Sequence, residues 1–257
     1  MQDDADLVLA TGGDGTVNEA ARKLLSSSVP LGVVPVGSGN GLARALRIPL
    51  RPQDALAALE SGLPRRMDVG YVNGKPFLNV AGVGFDAVVG WAFHLAGRDG
   101  ARRGVLRYVW MSFGLLGSYR ARPLVVETDE GRLETRPFVL TCANGPQYGG
   151  GAVLNPGARL DDGRFEIIVF EDAPILELVA TAPRLFLGGI ERTRRYRRLV
   201  TTRAVVTVDR AVEHHRDGEP EPEAERFEFT LAPRALSVLV PRIATESADG
   251  PFYRPQA

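Results

Sequence analysis

Two glycine-rich turns, Gly12-Gly13-Asp14-Gly15-Thr16 and Gly37-Ser38-Gly39-Asn40, constrain the fold of this chain more than any other feature. Each follows a short apolar run, Leu7-Val8-Leu9-Ala10 in one case and Leu31-Gly32-Val33-Val34 in the other, and each leads into a helical pattern. A strand, a bare turn and a helix start bring backbone N–H groups and the positive end of a helix dipole to one place, which suits phosphate. Two such turns on neighbouring parallel strands open on the same edge of a sheet, where open α/β folds bind their ligands. The chain therefore reads as a binder of nucleotide phosphates. Asp14 adds chemistry to the first turn. A carboxylate there repels phosphate unless a divalent cation bridges the two.

The pattern between residues 6 and 62 is strand, helix, strand, helix, helix. Val17, Ala20, Ala21, Leu24 and Leu25 share one helical face, and Thr16 with Glu19 predicts a capping box at its start. A short helix through Leu42, Ala45 and Leu46 ends before Pro49, and a third through Ala55, Leu56 and Leu59 ends at Gly62. After Asp68 the runs are short and rich in Val, Phe, Ile and Thr: 75–80, 122–128, 133–141, 164–170, 199–209, 226–231 and 235–240. Asn73-Gly74, Glu130-Gly131, Asp162-Gly163 and Asp217-Gly218 punctuate them as turns, which predicts an antiparallel β domain. Helical stretches at about 86–118 and 175–188 interrupt it. The expected fold class is α/β plus β: a parallel-sheet nucleotide-binding domain over 1–66, joined by 242–257, followed by an antiparallel β-sandwich over 67–241 that takes the substrate.

Lys and Arg balance Asp and Glu at 31 each, so bulk charge gives no argument for nucleic acid as a partner. The one cysteine, Cys142, allows no internal disulfide and reads as a small core residue. The acidic start of the chain does not read as a signal peptide, and no apolar run reaches the roughly 18–20 residues needed to span a bilayer. The expected location is the cytoplasm, with any membrane contact peripheral. The run Arg192, Arg194, Arg195, Arg197 and Arg198 reads either as a solvated strand edge or as a contact with an anionic membrane. His214 and His215 read as exposed loop histidines, and Glu219-Pro220-Glu221-Pro222-Glu223 as a solvated loop.

GGDGTVNEAA, LGVVPVGSGNGLARALRIP and Met67-Asp68-Val69-Gly70 together resemble the diacylglycerol kinase catalytic-domain family, which includes bacterial lipid kinases and sphingosine kinases. The likeness runs on through Asn144-Gly145, Gly149-Gly150-Gly151, Pro156-Gly157-Ala158, Asp161-Asp162-Gly163 and Asp217-Gly218-Glu219, and so spans nearly the whole chain. NAD kinases share the GGDGT turn but not the block that follows. The resemblance implies two domains with ATP and substrate meeting between them. It implies that Gly12, Gly13, Asp14, Gly15, Thr16, Val17, Asn18, Ser38, Gly39 and Asn40 bind ATP. It makes Glu219 the base that takes the proton from a lipid hydroxyl, with Asp217 assisting or orienting it. Asp14 and, through water, Asp68 would hold Mg²⁺, and Asp162 would ligate a structural metal; the plain alternative at Asp162 is a hairpin turn.

The implied activity is transfer of the γ-phosphoryl group of ATP to a lipid hydroxyl at a membrane surface, diacylglycerol first. Asn40 is followed by Gly41 where many bacterial members have Asp, so a sphingoid-base or other lipid kinase is the alternative. A non-catalytic nucleotide-binding module or truncated pseudoenzyme is the rival of another class. Only two parallel strands precede the β domain, whereas the family begins with further elements upstream of the GGDGT turn. The sequence therefore predicts an incomplete first domain with exposed apolar sheet, weak ATP binding and a tendency to associate, and a homodimer is left open.

Overall fold

The computed structural model describes residues 5–98, 111–112 and 114–253. Strand β1 (Val8–Gly12), helix α1 (Asp14–Leu24) and strand β2 (Leu31–Pro35) open it, with Ala10 of β1 paired in parallel to Val33 of β2. All five residues of β2 are buried, as a strand covered on both faces requires. Helices α2 (Gly41–Ala45) and α3 (Pro52–Glu60) follow, the second opened by Pro52, whose fixed φ suits a first turn. The predicted capping box is not formed. Helix α1 starts three residues early, with Gly13 rather than Thr16 as its N-cap and no side-chain cap, because Thr16 lies inside the first turn with its side chain over Gly12. A Cβ on Gly12 would come within 2.5 Å of the Thr16 Cβ.

The remaining strands are β3 (Leu63–Val72), β4 (Lys75–Phe77), β5 (Val80–Gly84), β6 (Leu124–Thr128), β7 (Gly131–Thr135), β8 (Pro137–Ala143), β9 (Phe165–Glu171), β10 (Tyr196–Thr201), β11 (Arg203–Arg216) and β12 (Glu219–Val240). Helix α4 (Phe85–Arg98) leaves β5, α5 (Ile175–Thr181) and α6 (Arg184–Leu187) lie between β9 and β10, and α7 (Ile243–Glu246) follows β12. Residues 99–110 and 113 of the predicted 86–118 helical stretch lie outside the described residues. The sheet order is β1-β2-β12-β11-β5-β8-β9-β10, with β3 also on β12, β6 also on β11, β4 on β3 and β7 on β6. Two hairpins close on two-residue turns with positive φ at both positions, Asn73-Gly74 (48° and 77°) and Asp217-Gly218 (48° and 81°). That is type I′ geometry, for which Asn-Gly and Asp-Gly are the favoured pairs.

Strand β12 joins the two halves. Its first part pairs antiparallel with β11, the register shifts between Ala232 and Leu236, and its last part pairs antiparallel with β3 and, at Val238, in parallel with Leu31 of β2. Residues 235–240 read from sequence as one more β-domain strand; here they form the third strand of the N-terminal layer. Met67, Leu236, Val238, Ala244 and Phe252 accordingly share a core with Leu31, Leu42 and Leu46. A second core holds Val126, Leu140, Cys142, Phe165, Phe227 and Phe229. Glu219–Glu223 is the start of β12 rather than a solvated loop, because Glu221 is buried and ion-paired with Lys75 at 2.6 Å and with Arg216. At the far edge β1 pairs with β2 alone among the described residues, and Leu7 and Leu9 there are exposed. No described helix is long and apolar enough to cross a membrane.

Candidate functional site

The two glycine turns are locked together by close backbone approach. A Cβ on Gly37 would lie 2.6 Å from the Gly13 Cα. The Asn40 side chain straps its own turn, accepting from the Gly37 N–H at 3.0 Å and donating to the Gly37 carbonyl at 2.7 Å. Asp14 then ties one turn to the other: Oδ2 accepts from the Asn40 N–H at 2.9 Å and Oδ1 from the Gly41 N–H at 2.6 Å. The carboxylate thus caps α2 from a distance, a role the sequence does not announce. The first helical bond of α1 runs from the Val17 N–H to the Gly13 carbonyl, so the N–H groups of Asp14, Gly15 and Thr16 have no partner within the helix. Gly15, Thr16 and Ser38 are exposed on this face, Gly39 is half-buried, and Gly12, Val17 and Asn18 are buried behind it.

Across from this face stands the β11–β12 turn. Glu219 is partly exposed, and its Oε1 lies 4.0 Å from where a Gly15 Cβ would be. Its Oε2 accepts from Arg22 of α1 at 2.6 Å, with the Arg216 guanidinium 4.0 Å away. Asp217 is buried and accepts from three backbone N–H groups, those of Leu78 (2.7 Å), Asn79 (2.8 Å) and Val80 (3.1 Å). Burial pushes its carboxyl up, against the pull of those three donors. Asp217 therefore ties the β11–β12 turn to the chain leading into β5. A third segment, Gly149–Gly151, closes the site from the side, the Gly150 N–H donating to the Gly39 carbonyl at 2.9 Å.

His214 and His215 are buried, not exposed as the sequence suggested, because β11 runs on through Arg216 and places one ring on each face of the sheet. His214 packs edge-on against Phe227, and burial drives it from its usual 6.5 down to about 4. The His215 Nδ1 accepts from the Gly218 N–H at 3.3 Å, which leaves Nε2 to donate to the Asp86 carboxylate at 3.0 Å. Asp86 also accepts from the Tyr148 hydroxyl at 2.8 Å, which in turn meets Thr141. This chain of groups braces the turn that carries Glu219. Gly82 makes room for it: a Cβ there would come within 2.1 Å of Asp86 Oδ2. Local sequence gives no role to Arg22, Asp86 or Tyr148 and puts His215 in a loop; the one available signal is a glycine inside an apolar strand, which marks a close approach.

Of the predicted metal residues, Asp68 lies beside Asp162 and Asp161. Asp68 is 0% exposed and its two oxygens accept from the Gly163 N–H (2.7 Å) and the Arg234 N–H (2.7 Å), so it is closed off from water in the cleft. Burial pushes its carboxyl up, reinforced by Asp162 and Asp161 nearby. Asp162 itself accepts from the Arg164 N–H at 3.0 Å in a turn before β9. That turn is not a hairpin, because β9 pairs with β8 and β10. Among the described residues no group of three or more His, Cys, Asp or Glu is placed to hold a metal. The arginine run is largely spent on ion pairs: Arg195 with Glu177 (3.0 Å), Arg197 with Glu171 (2.8 Å), Arg198 with Glu166 and Arg192 with Glu191 (3.4 Å).

Residues 1–72 match the diacylglycerol kinase catalytic domain, and residues 79–240 match the YegS C-terminal NAD kinase beta sandwich-like domain. A diacylglycerol kinase of Bacillus subtilis is 31% identical over 95% of this chain and 80% of its own length. A Pseudomonas aeruginosa protein named "Probable lipid kinase YegS-like" is 33% identical over 91% of this chain and 76% of its own length. Among solved structures, a diacylglycerol kinase from Bacillus anthracis superposes with a TM-score of 0.70 at 20% identity, covering 93% of this chain and 78% of that one, a likeness of fold. The order of the motifs, the cleft they form and these matches agree: the chain belongs to the diacylglycerol kinase family of lipid kinases.

Proposed function

We propose that the protein transfers the γ-phosphoryl group of ATP to the hydroxyl of a lipid, diacylglycerol first. The observation that carries this reading is the placement of Glu219 over Gly15, so that a proton acceptor faces the free N–H groups of α1. Phosphoryl transfer needs positioned phosphates, offset charge and an acceptor for the hydroxyl proton. The α1 start and the Ser38 turn supply the first. Arg22 holds the Glu219 carboxylate in place at 2.6 Å, and the Asp217 and His215 contacts fix the backbone beneath it. A magnesium ion that arrives on the nucleotide needs only one or two protein carboxylates. Asp14, half-buried and with a second lone pair left on each oxygen beside the bonds from Asn40 and Gly41, is the carboxylate that would hold it, and the ion would offset charge on the phosphates.

Labelled ATP offered with diacylglycerol, a sphingoid base or NAD tests the reading. Label should pass to diacylglycerol. Transfer to the sphingoid base alone would move the substrate class within lipids, and transfer to NAD alone would overturn the proposal.

A further inference from the structure

Helices α5 and α6 turn large apolar side chains toward water: Ile175 (48% exposed), Leu176 (84%), Val179 (37%), Phe186 (52%) and Leu187 (86%). On α5, Ile175, Leu176 and Val179 share one face, spaced three and four apart. The opposite face is already satisfied, with Leu178 and Leu185 packed toward Phe170 and Ile190. Single exposed apolar residues are ordinary, but five in one short stretch mark a surface that meets something.

The charge around this stretch says what. Around this stretch Arg195, Arg197 and Arg198 are paired with Glu177, Glu171 and Glu166, and Arg192 with Glu191, whereas Arg184 and Arg194 have no ion pair among the described residues. Arg184 lies on α6 itself, and Arg192 and Arg194 are exposed just beyond it. An apolar face rimmed by arginine fits the headgroup–acyl boundary of an anionic bilayer, where the side chains enter the acyl region and the cations meet lipid phosphates. The stretch is also braced on the cleft. The Leu185 carbonyl accepts from the Val153 N–H at 2.7 Å, on the loop whose Gly150 contacts Gly39 and whose Tyr148 reaches Asp86 beside His215.

We propose that α5 and α6 form a membrane-docking tip that seats the protein on an anionic lipid surface and holds the cleft at that surface. The proposal rests on the lipid-kinase reading for its purpose but not for its test. Leu176 and Leu187 protrude, so replacing both by Gln leaves the cores intact and thermal unfolding unchanged. The full chain should sediment with vesicles of phosphatidylcholine and phosphatidylglycerol in equal parts, and less with phosphatidylcholine alone or at high salt. The Leu176→Gln/Leu187→Gln variant should bind about a hundredfold more weakly, roughly tenfold for each leucine. Arg184→Gln and Arg194→Gln should each cost about fivefold, lost at high salt. Phosphorylation of a short-chain diacylglycerol dispersed as monomers should stay at the wild-type level in the leucine variant while phosphorylation on vesicles falls. If the wild type phosphorylates neither form yet shows leucine-dependent vesicle binding, the docking tip stands and the lipid-kinase reading fails. Equal vesicle binding by wild type and the leucine variant, or a variant that alters only self-association, overturns the docking tip.

Discussion

The turn at Gly12–Thr16 and the turn at Asp217–Glu219 face each other across the cleft, yet they are held by opposite means. The first is held by glycines against glycines and by Asp14 reaching the next turn, between elements that follow one another in the chain. The second is held by groups far away in sequence: Leu78, Asn79 and Val80 through Asp217, Asp86 through His215, and Arg22 through Glu219. A phosphate cradle can be written in local sequence, because it needs only backbone N–H groups at a helix start. A positioned side-chain base cannot, because its geometry is set by whatever long-range neighbours fix its backbone.

The contrast predicts that the second turn is the more fragile. On stability, the largest expected effect is at Asp217: Asp217→Asn removes the buried charge that three N–H groups address and sets an NH2 against one of them. The loss should be about 3 kcal/mol, read by urea unfolding, with turnover falling alongside. A variant as stable as wild type would mean that the turn is fixed by something other than Asp217.

Next is the strand that leads into that turn. His214 is held near 4 by burial, with Glu221 pulling it up and His215, Lys75 and Arg216 pushing it down. The unfolded chain takes up a proton near 6.5 while the folded chain refuses it until about 4. Stability is therefore full above the first value and is lost as pH falls toward the second, by at most about 3 kcal/mol. His214→Phe should flatten that part of a pH–stability curve; an unchanged slope would assign it to other groups.

The smallest stability effect is on the first turn. Asp14→Asn keeps one acceptor oxygen for Asn40 or Gly41 and should cost about 1 kcal/mol. Its turnover should nevertheless fall by about a hundredfold or more, since the charge is lost where phosphate and magnesium are proposed to sit. A rate loss no larger than the stability loss would make Asp14 a structural cap alone.

The same contrast explains what was legible in the sequence. The βα units, the Asn73-Gly74 and Asp217-Gly218 turns and the antiparallel half follow from periodicity and turn chemistry, which act over a few residues. Strand β3 was missed because Pro64, Arg65 and Arg66 interrupt any apolar pattern, and β5 because Gly82 and Gly84 dilute it. The destination of residues 236–240 depends on pairing with β2 and β3, which no local pattern records. Asp14 was legible as a carboxylate inside a phosphate turn, and Glu219 through the family resemblance. Arg22 and His215 were not, since an Arg on a helix and a His in a strand acquire their roles only from what the fold brings against them.

Glu219→Gln tests the central claim most directly, because it removes the proton acceptor at constant size on a partly exposed side chain. The Arg22 pair it weakens is worth about 1 kcal/mol or less, so unfolding and nucleotide binding should stay near wild type. Transfer of label from ATP to diacylglycerol should fall by about a hundredfold to ten-thousandfold. Turnover within about twofold of wild type, a small fraction of what a general base contributes, would contradict the assignment.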